Sequence, residues 1–191
     1  MSAGDIDDVV GDEEYLEQLR KDNIPFHLYL LKAFFFKPIR TFFIPFGAGI
    51  SEDGQRVYIS RDLQTNIQGV ECESALVRHE TTEWGLRFFC QIGEDYLTDP
   101  TGHRLANRAE HDRIVQLLDT PDAWFTYTTI IDNQIIREER TDLKDKPLPR
   151  DLARYPYEDA EWDKIEEAMY NEYSIEEWDR LGVSNAQENP I

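Results

Sequence analysis

Three of the four histidines of this chain, His79, His103 and His111, lie in a short glutamate-rich stretch. The sequence HETTE places His79 and Glu83 four residues apart, which on a helix puts both side chains on one face, one turn apart. An imidazole and a carboxylate so placed can bind one cation, and zinc accepts both kinds of ligand. Glu80, next to His79, would lie beside that cation and could deprotonate a water molecule. The pattern predicts a catalytic metal site with Glu80 as its base.

A catalytic zinc site needs a third protein ligand. His103 lies 20 residues after Glu83, beyond a break that contains glycine and proline, near the start of a second predicted helix over residues 103–118. If the two helices run antiparallel, the imidazole of His103 returns to the metal. The predicted ligands are therefore His79, Glu83 and His103, with Zn²⁺ as the cation and another divalent metal as the alternative.

Two polar residues follow His103 on the second predicted helix. Asn107, one turn further on, is predicted to hydrogen-bond His79 from behind the ligand. Glu110 lies two turns beyond His103, about 10 Å along the helix axis. We expect it to accept a hydrogen bond behind the ligands or, in a different register, to replace His103 as the third ligand.

These motifs resemble those of zincin-type metallopeptidases. HETTEW followed by GHRLANRAEH is similar to the thermolysin-like group, in which HExxH precedes a ligand on the next helix; Glu83 stands where that group has its second histidine. VYISRDL, LVRHETTEWGL and the spacing of His103, Ala106 and Glu110 more closely resemble uncharacterised zincin-like proteins of phages and bacteria, over about residues 44–118. The resemblance implies a zinc peptidase acting on a peptide or protein, with residues 57–60 as an edge strand that pairs with extended substrate.

Other functions fit parts of the same pattern. A zincin-like protein of a phage or mobile element can be catalytically silent and serve as a structural or interaction module. Two histidines and one carboxylate also hold Fe(II) in oxygenases, although those sites usually lie in β-barrels and few strands are predicted here. The glutamates can instead form a solvated helix face, paired with neighbouring arginines. An acidic decoy that mimics the charge of DNA is a further class.

Charge divides the 191 residues into three parts. The chain carries 39 acidic and 20 basic side chains, a net charge of −19, which excludes a conventional nucleic-acid partner. Residues 1–14 contribute −6 and residues 157–191 contribute −9, which leaves −4 for residues 15–156. We predict an acidic flexible tail at 1–14, a zincin-like domain at 15–156 and an acidic helical extension at 157–191. The two acidic ends are either solvated or bind a basic protein partner.

Periodicity and turn residues predict an α+β, mainly helical fold with a small hairpin or sheet beside the metal-site helix. Asp-Gly within residues 51–54 indicates a hairpin turn between strands at 40–50 and 55–60. Residues 61–72 are predicted as a loop, and residues 122–136 as either a helix or a strand. The remaining predicted helices cover residues 13–22, 26–36, 73–89, 158–171 and 174–181.

The apolar segment at 28–46 contains two lysines, an arginine and two prolines, which argues against a membrane span. The first residues lack the basic and apolar regions of a secretory signal. Cys72 and Cys90 form no CxxC motif and fit a reducing compartment. We therefore expect a cytoplasmic protein, or one associated with a virion if the gene belongs to a phage.

Overall fold

The computed structural model describes residues 11–41, 47–61, 63–93, 99–135 and 151–153. Over these residues the α+β, mainly helical prediction is confirmed. The helices are α1 (Asp12–Asp22), α2 (Ile24–Ala33), α3 (Glu73–Cys90), α4 (Thr101–Leu118) and α5 (Ala123–Ile135). The strands are β1 (Ile39–Thr41), β2 (Ala48–Ile50), β3 (Val57–Ser60), β4 (Asn66–Ile67) and β5 (Val70–Glu71). The segment 157–191, with its two predicted acidic helices, lies outside the described residues.

The main sheet has β3 at its centre. β2 pairs with β3 antiparallel, as the predicted hairpin requires, and β1 pairs with the other side of β3 in parallel. Beyond β2, Ser51 forms a bridge with Leu152, and the N–H of Ala153 donates to the carbonyl of Ile50 at 2.7 Å. The prediction that residues 57–60 form an edge strand open to a peptide was therefore wrong, because β1 and β2 pair with the two sides of β3.

The segment at 61–72 was predicted as a loop but contains a second hairpin, whose strands are two residues long. β4 and β5 pair antiparallel, with Asn66 opposite Glu71. The turn residues Gln68 and Gly69 both have positive φ, 54° and 85°. Two left-handed residues are what a type I′ turn requires, and this turn suits the twist of a tight hairpin. The hairpin leads the chain directly into α3.

Helix α3 is buried on several sides at once. Its residues Val77, Trp84 and Leu86 share a core with Phe26 and Tyr29 of α2. A second core joins Ala75 and Leu76 of α3 to Ile59 of β3, Ile114 of α4 and Tyr127 of α5. Because apolar neighbours surround it, any polar side chain on the inner faces of α3 must find a partner within the protein.

α3 and α4 run antiparallel at close range, since residues later in α3 contact residues earlier in α4. The approach is tightest where the helices are joined. A Cβ added to Gly93, whose φ is +76°, would lie 3.1 Å from the Cα of Gly102. Glycine at both positions lets the two backbones meet and fixes how the rest of α4 lies against α3.

Residues 12–14, which were predicted to belong to the acidic tail, lie in α1, which begins at Asp12. Asp12 is buried and lies 3.3 Å from the guanidinium of Arg104 on α4, and Glu13 lies 3.2 Å from Arg108. Acidic side chains in the first turn also stabilise the helix, because they lie at the positive end of its dipole. The prediction of a flexible tail through residue 14 was therefore wrong for these residues, which belong to the folded domain.

One side of α2 is apolar and exposed. Ile24, Leu28 and Leu31 of α2, with Phe35 two residues beyond its end, recur at helical spacing and are 58%, 58%, 48% and 79% exposed. We call these four residues the α2 stripe. Across the portion of the chain that the structure describes, no helix combines the length and the apolar character needed to cross a bilayer. The stripe is thus a surface feature of a short helix.

Gly54 in the β2–β3 turn is expected to tolerate no side chain. Its φ is +67°, and an added Cβ would lie 2.5 Å from the indole ring of Trp84, the residue after Glu83. We expect Gly54→Ala to lower the free energy of unfolding by about 2–4 kcal/mol, because left-handed strain and overpacking add. Urea denaturation measures this. Gly69→Ala is the control, since Gly69 has φ +85° but nothing within 4 Å; equal losses for the two variants would refute the contact with Trp84.

Candidate metal centre

The HETTE sequence lies in the middle of α3, on the side that faces α4. His79 is 9% exposed and Glu83 is 7% exposed. Their spacing of four residues places both side chains on one helix face, as predicted. The antiparallel course of α4 brings His103, two residues after the start of that helix, to the same place. The two helices therefore supply all three predicted ligands.

The three predicted ligands converge on one point. The Nε2 atom of His79 lies 3.3 Å from Oε2 of Glu83, and Nδ1 of His103 lies 3.6 Å from Oε1 of Glu83. The two imidazole rings are 4.9 Å apart between centroids and inclined at 70°. One ligand atom from each of His79, Glu83 and His103 can be chosen so that all three lie within 4.8 Å of one another.

These separations suit a small divalent cation. In a tetrahedral site with bonds of about 2.0–2.1 Å, neighbouring ligand atoms lie about 3.4 Å apart. The contacts of 3.3 and 3.6 Å, which run to different oxygens of Glu83, are close to this value, and one set of three ligand atoms lies within 4.8 Å. The side chain of His103 is 24% exposed, so solvent reaches the site from its side. Three such side chains with one side open to solvent could hold a divalent cation.

Glu110 lies behind His79, on the side away from the other two ligands. Its Oε2 accepts a hydrogen bond from Nδ1 of His79 at 2.8 Å, and its Oε1 accepts one from the hydroxyl of Tyr127 at 2.5 Å. The geometry thus groups His103, and not Glu110, with His79 and Glu83. The predicted bond from Asn107 to His79 was wrong, because both ring nitrogens of His79 face glutamates instead.

The electrostatics of the site favour positive charge. Burial alone would lower the pKa of His79, but the Glu110 carboxylate, assisted by Glu83, outweighs it and holds this pKa well above its usual value. Burial alone would raise the pKa of Glu83, but the hydrogen bonds from His103 and His79 outweigh burial and lower this pKa to about 2. Two carboxylates thus face one imidazole and stabilise positive charge at this position.

The pKa of Glu80, the residue after His79, is raised towards neutral pH. Its side chain is half-buried. Desolvation is the largest influence and raises its pKa; the positive charge of His79 opposes this, while Glu83 and Glu110 add to it, and the pKa reaches about 8. A carboxyl group whose pKa lies near the working pH suits general acid–base catalysis. A cation held by the neighbouring ligands would lower this pKa again.

Three arginines near the motif contact groups other than its glutamates. Arg104 and Arg108 contact acidic residues of α1, and the guanidinium of Arg78 lies 4.4 Å above the ring of Phe34. Glu83 and Glu110 contact histidines instead. His111 lies outside the group of converging residues and contacts Asp112 and Trp124.

Sequence reasoning missed Tyr127. Its segment is rich in threonine and isoleucine, so it was predicted as either a helix or a strand, and the structure shows a helix. Tyr127 occupies the buried face of α5, 1% exposed, and reaches Glu110 across the α4–α5 interface. The one available signal was the sequence separation of Glu110 and Tyr127. When a short turn joins two helices, a tyrosine on the second helix can pack back against a glutamate on the first.

Comparisons of the chain with protein families, with curated proteins and with solved structures give no match. The likeness to zincins therefore depends on the motifs quoted above, and the function is inferred from the geometry of the site.

Proposed function

We propose that this chain is a metal-dependent hydrolase of the zincin type, which uses zinc to cleave peptide bonds. The observation that carries the proposal is the convergence of His79, Glu83 and His103 on one point. Two imidazoles and a carboxylate, with one side open to solvent, are a usual donor set for catalytic zinc. Other divalent metals that accept nitrogen and oxygen ligands fit the same three residues.

Each residue of the site has a defined task in this proposal. Zinc held there would lower the pKa of a water molecule towards about 7 and polarise the scissile carbonyl. Glu80 takes the proton from the attacking water and passes it to the leaving amine. A pKa of about 8 before metal binds, and a lower one afterwards, lets this carboxyl group do both. Glu83 stays ionised as a ligand because its pKa is about 2.

Metal content and metal-dependent hydrolysis test the proposal. Protein purified without chelators is expected to contain close to one zinc per chain by elemental analysis. It is expected to cleave members of a random peptide library, with products identified by mass spectrometry. Dialysis against a chelator should remove both metal and cleavage, and added Zn²⁺ should restore them. Protein that never carries or takes up a divalent metal would overturn the proposal.

A second candidate is a zincin-like protein that no longer catalyses and acts in assembly. The α2 stripe favours it, because an exposed apolar row at helical spacing is typical of a surface that binds another protein. The acidic segment 157–191 would then contact a basic partner. The two candidates differ at Glu80, since an assembly protein does not need its carboxyl group.

A further inference from the structure

Behind the metal site, three helices are joined by a chain of two hydrogen bonds. The hydroxyl of Tyr127 on α5 donates to Glu110 on α4 at 2.5 Å, and Glu110 accepts from Nδ1 of His79 on α3 at 2.8 Å. All three side chains are buried, with exposures of 1%, 7% and 9%. Water therefore does not compete for these bonds, and each is stronger than it would be at the surface.

The chain of bonds determines which nitrogen of His79 faces the ligands. An ionised carboxylate only accepts hydrogen bonds, so the Nδ1 atom of His79 carries the hydrogen of the contact with Glu110. The remaining nitrogen, Nε2, is the one that lies 3.3 Å from Glu83. The ring is thus held in the orientation that offers the lone pair of Nε2 to a cation once the cation has displaced the Nε2 proton.

Tyr127 fixes Glu110 in turn. Its ring lies 5.7 Å from that of Trp124, inclined at 30°, and packs in the core that includes Ile114 of α4. A packed phenol has little freedom, so its hydroxyl holds Oε1 of Glu110 in one place and leaves Oε2 for His79. Without this donor, one oxygen of a buried carboxylate would lose its hydrogen bond.

We infer that Glu110 and Tyr127 are positioning residues of the metal site, which orient His79 and raise the affinity for zinc without touching the metal. The inference depends on the proposed zinc site. It brings α5, which carries none of the motif residues, into the function of the site. Outer hydrogen-bond partners of zinc-binding histidines typically account for about 10- to 100-fold in metal affinity.

Zinc affinity, measured on full-length protein by competition with a chromophoric chelator, tests the inference. We expect Glu110→Gln to weaken zinc binding about 10- to 100-fold and Tyr127→Phe about 3- to 10-fold. The absorption bands of Co²⁺ bound in place of zinc are expected to shift in both variants, since the orientation of His79 changes. Circular dichroism before metal is added verifies that each variant is folded.

Tyr58→Phe is the matched control. The hydroxyl of Tyr58 is also buried and donates to a carboxylate, Asp151, at 2.9 Å, but it lies on the sheet and not at the site. We expect this variant to lose stability and to keep the zinc affinity and Co²⁺ spectrum of the unmodified protein. A purely structural role of Tyr127 predicts the same behaviour for Tyr127→Phe.

The outcomes separate this inference from the proposed function. If the unmodified protein binds zinc and folded Glu110→Gln and Tyr127→Phe bind it equally tightly, the positioning role is overturned and the hydrolase proposal is left intact. Absence of zinc binding in the unmodified protein would overturn both. Should Tyr127→Phe fail to fold, Glu110→Gln decides, because glutamine preserves the size of the side chain but replaces one acceptor oxygen with an NH2 group that can only donate.

Discussion

Replacement of Glu80 by glutamine is expected to lower the rate of peptide hydrolysis by about 10²- to 10⁴-fold, because the amide cannot accept a proton from water. Zinc content should remain close to that of the unmodified protein, since Glu80 is not one of the three converging ligands. Stability should also be little changed: burial raises the pKa of Glu80 to about 8, so at pH 7 the metal-free protein carries this carboxyl group mostly uncharged.

Glu73→Gln is the control for this experiment. Glu73 lies in the first turn of the same helix, and its carboxylate contacts Arg40 rather than the site. The Glu73→Gln substitution should leave the rate of peptide hydrolysis unchanged. Metal-dependent cleavage at the original rate in Glu80→Gln would show that another group accepts the proton, and loss of zinc would show that Glu80 is a ligand. Either result contradicts the assigned role.

Replacement of His79 by alanine is expected to abolish zinc binding at micromolar metal. The loss should exceed the about 10- to 100-fold that follows removal of an outer hydrogen-bond partner, because a direct ligand disappears. His103→Ala should have the same effect while it leaves the contact between His79 and Glu110 intact. Elemental analysis and chelator competition measure the affinity, and circular dichroism follows folding in parallel.

His111→Ala serves as the comparison for the ligand variants. His111 lies on α4 but contacts Asp112 and Trp124, outside the group of converging ligands. We expect it to bind zinc as tightly as the unmodified protein does. If His79→Ala or His103→Ala also retained full zinc affinity, the metal would lie elsewhere and the assignment of the site would be wrong.

The parts of the structure that depend on local sequence were predictable. Apolar periodicity and the glycine and proline break gave α3 and α4 nearly to their ends. The spacing of His79 and Glu83 on one helix is a local property, so their shared face followed from it. The return of His103 needed only that two helices joined by a short segment pack antiparallel. These are the features for which neighbours in sequence are also neighbours in space.

The features that were missed depend on contacts between distant segments. Nothing near β3 in the sequence indicates that β1 pairs with its second side, so the strand was taken for an edge. The hydrogen bond from Tyr127 to Glu110 depends on how α5 packs against α4. Asn107 has the correct spacing from His103, but its distance from His79 depends on the register between two helices. Tertiary packing, and not local propensity, decides such details.

The bridge between Ser51 and Leu152 has a consequence for folding during synthesis. Until the ribosome has released residues 151–153, the outer side of β2 presents unpaired N–H and C=O groups. Such an unpaired sheet edge can pair with a strand of another molecule and start aggregation. A nascent chain already long enough to contain His79, Glu83 and His103 would still have this exposed edge.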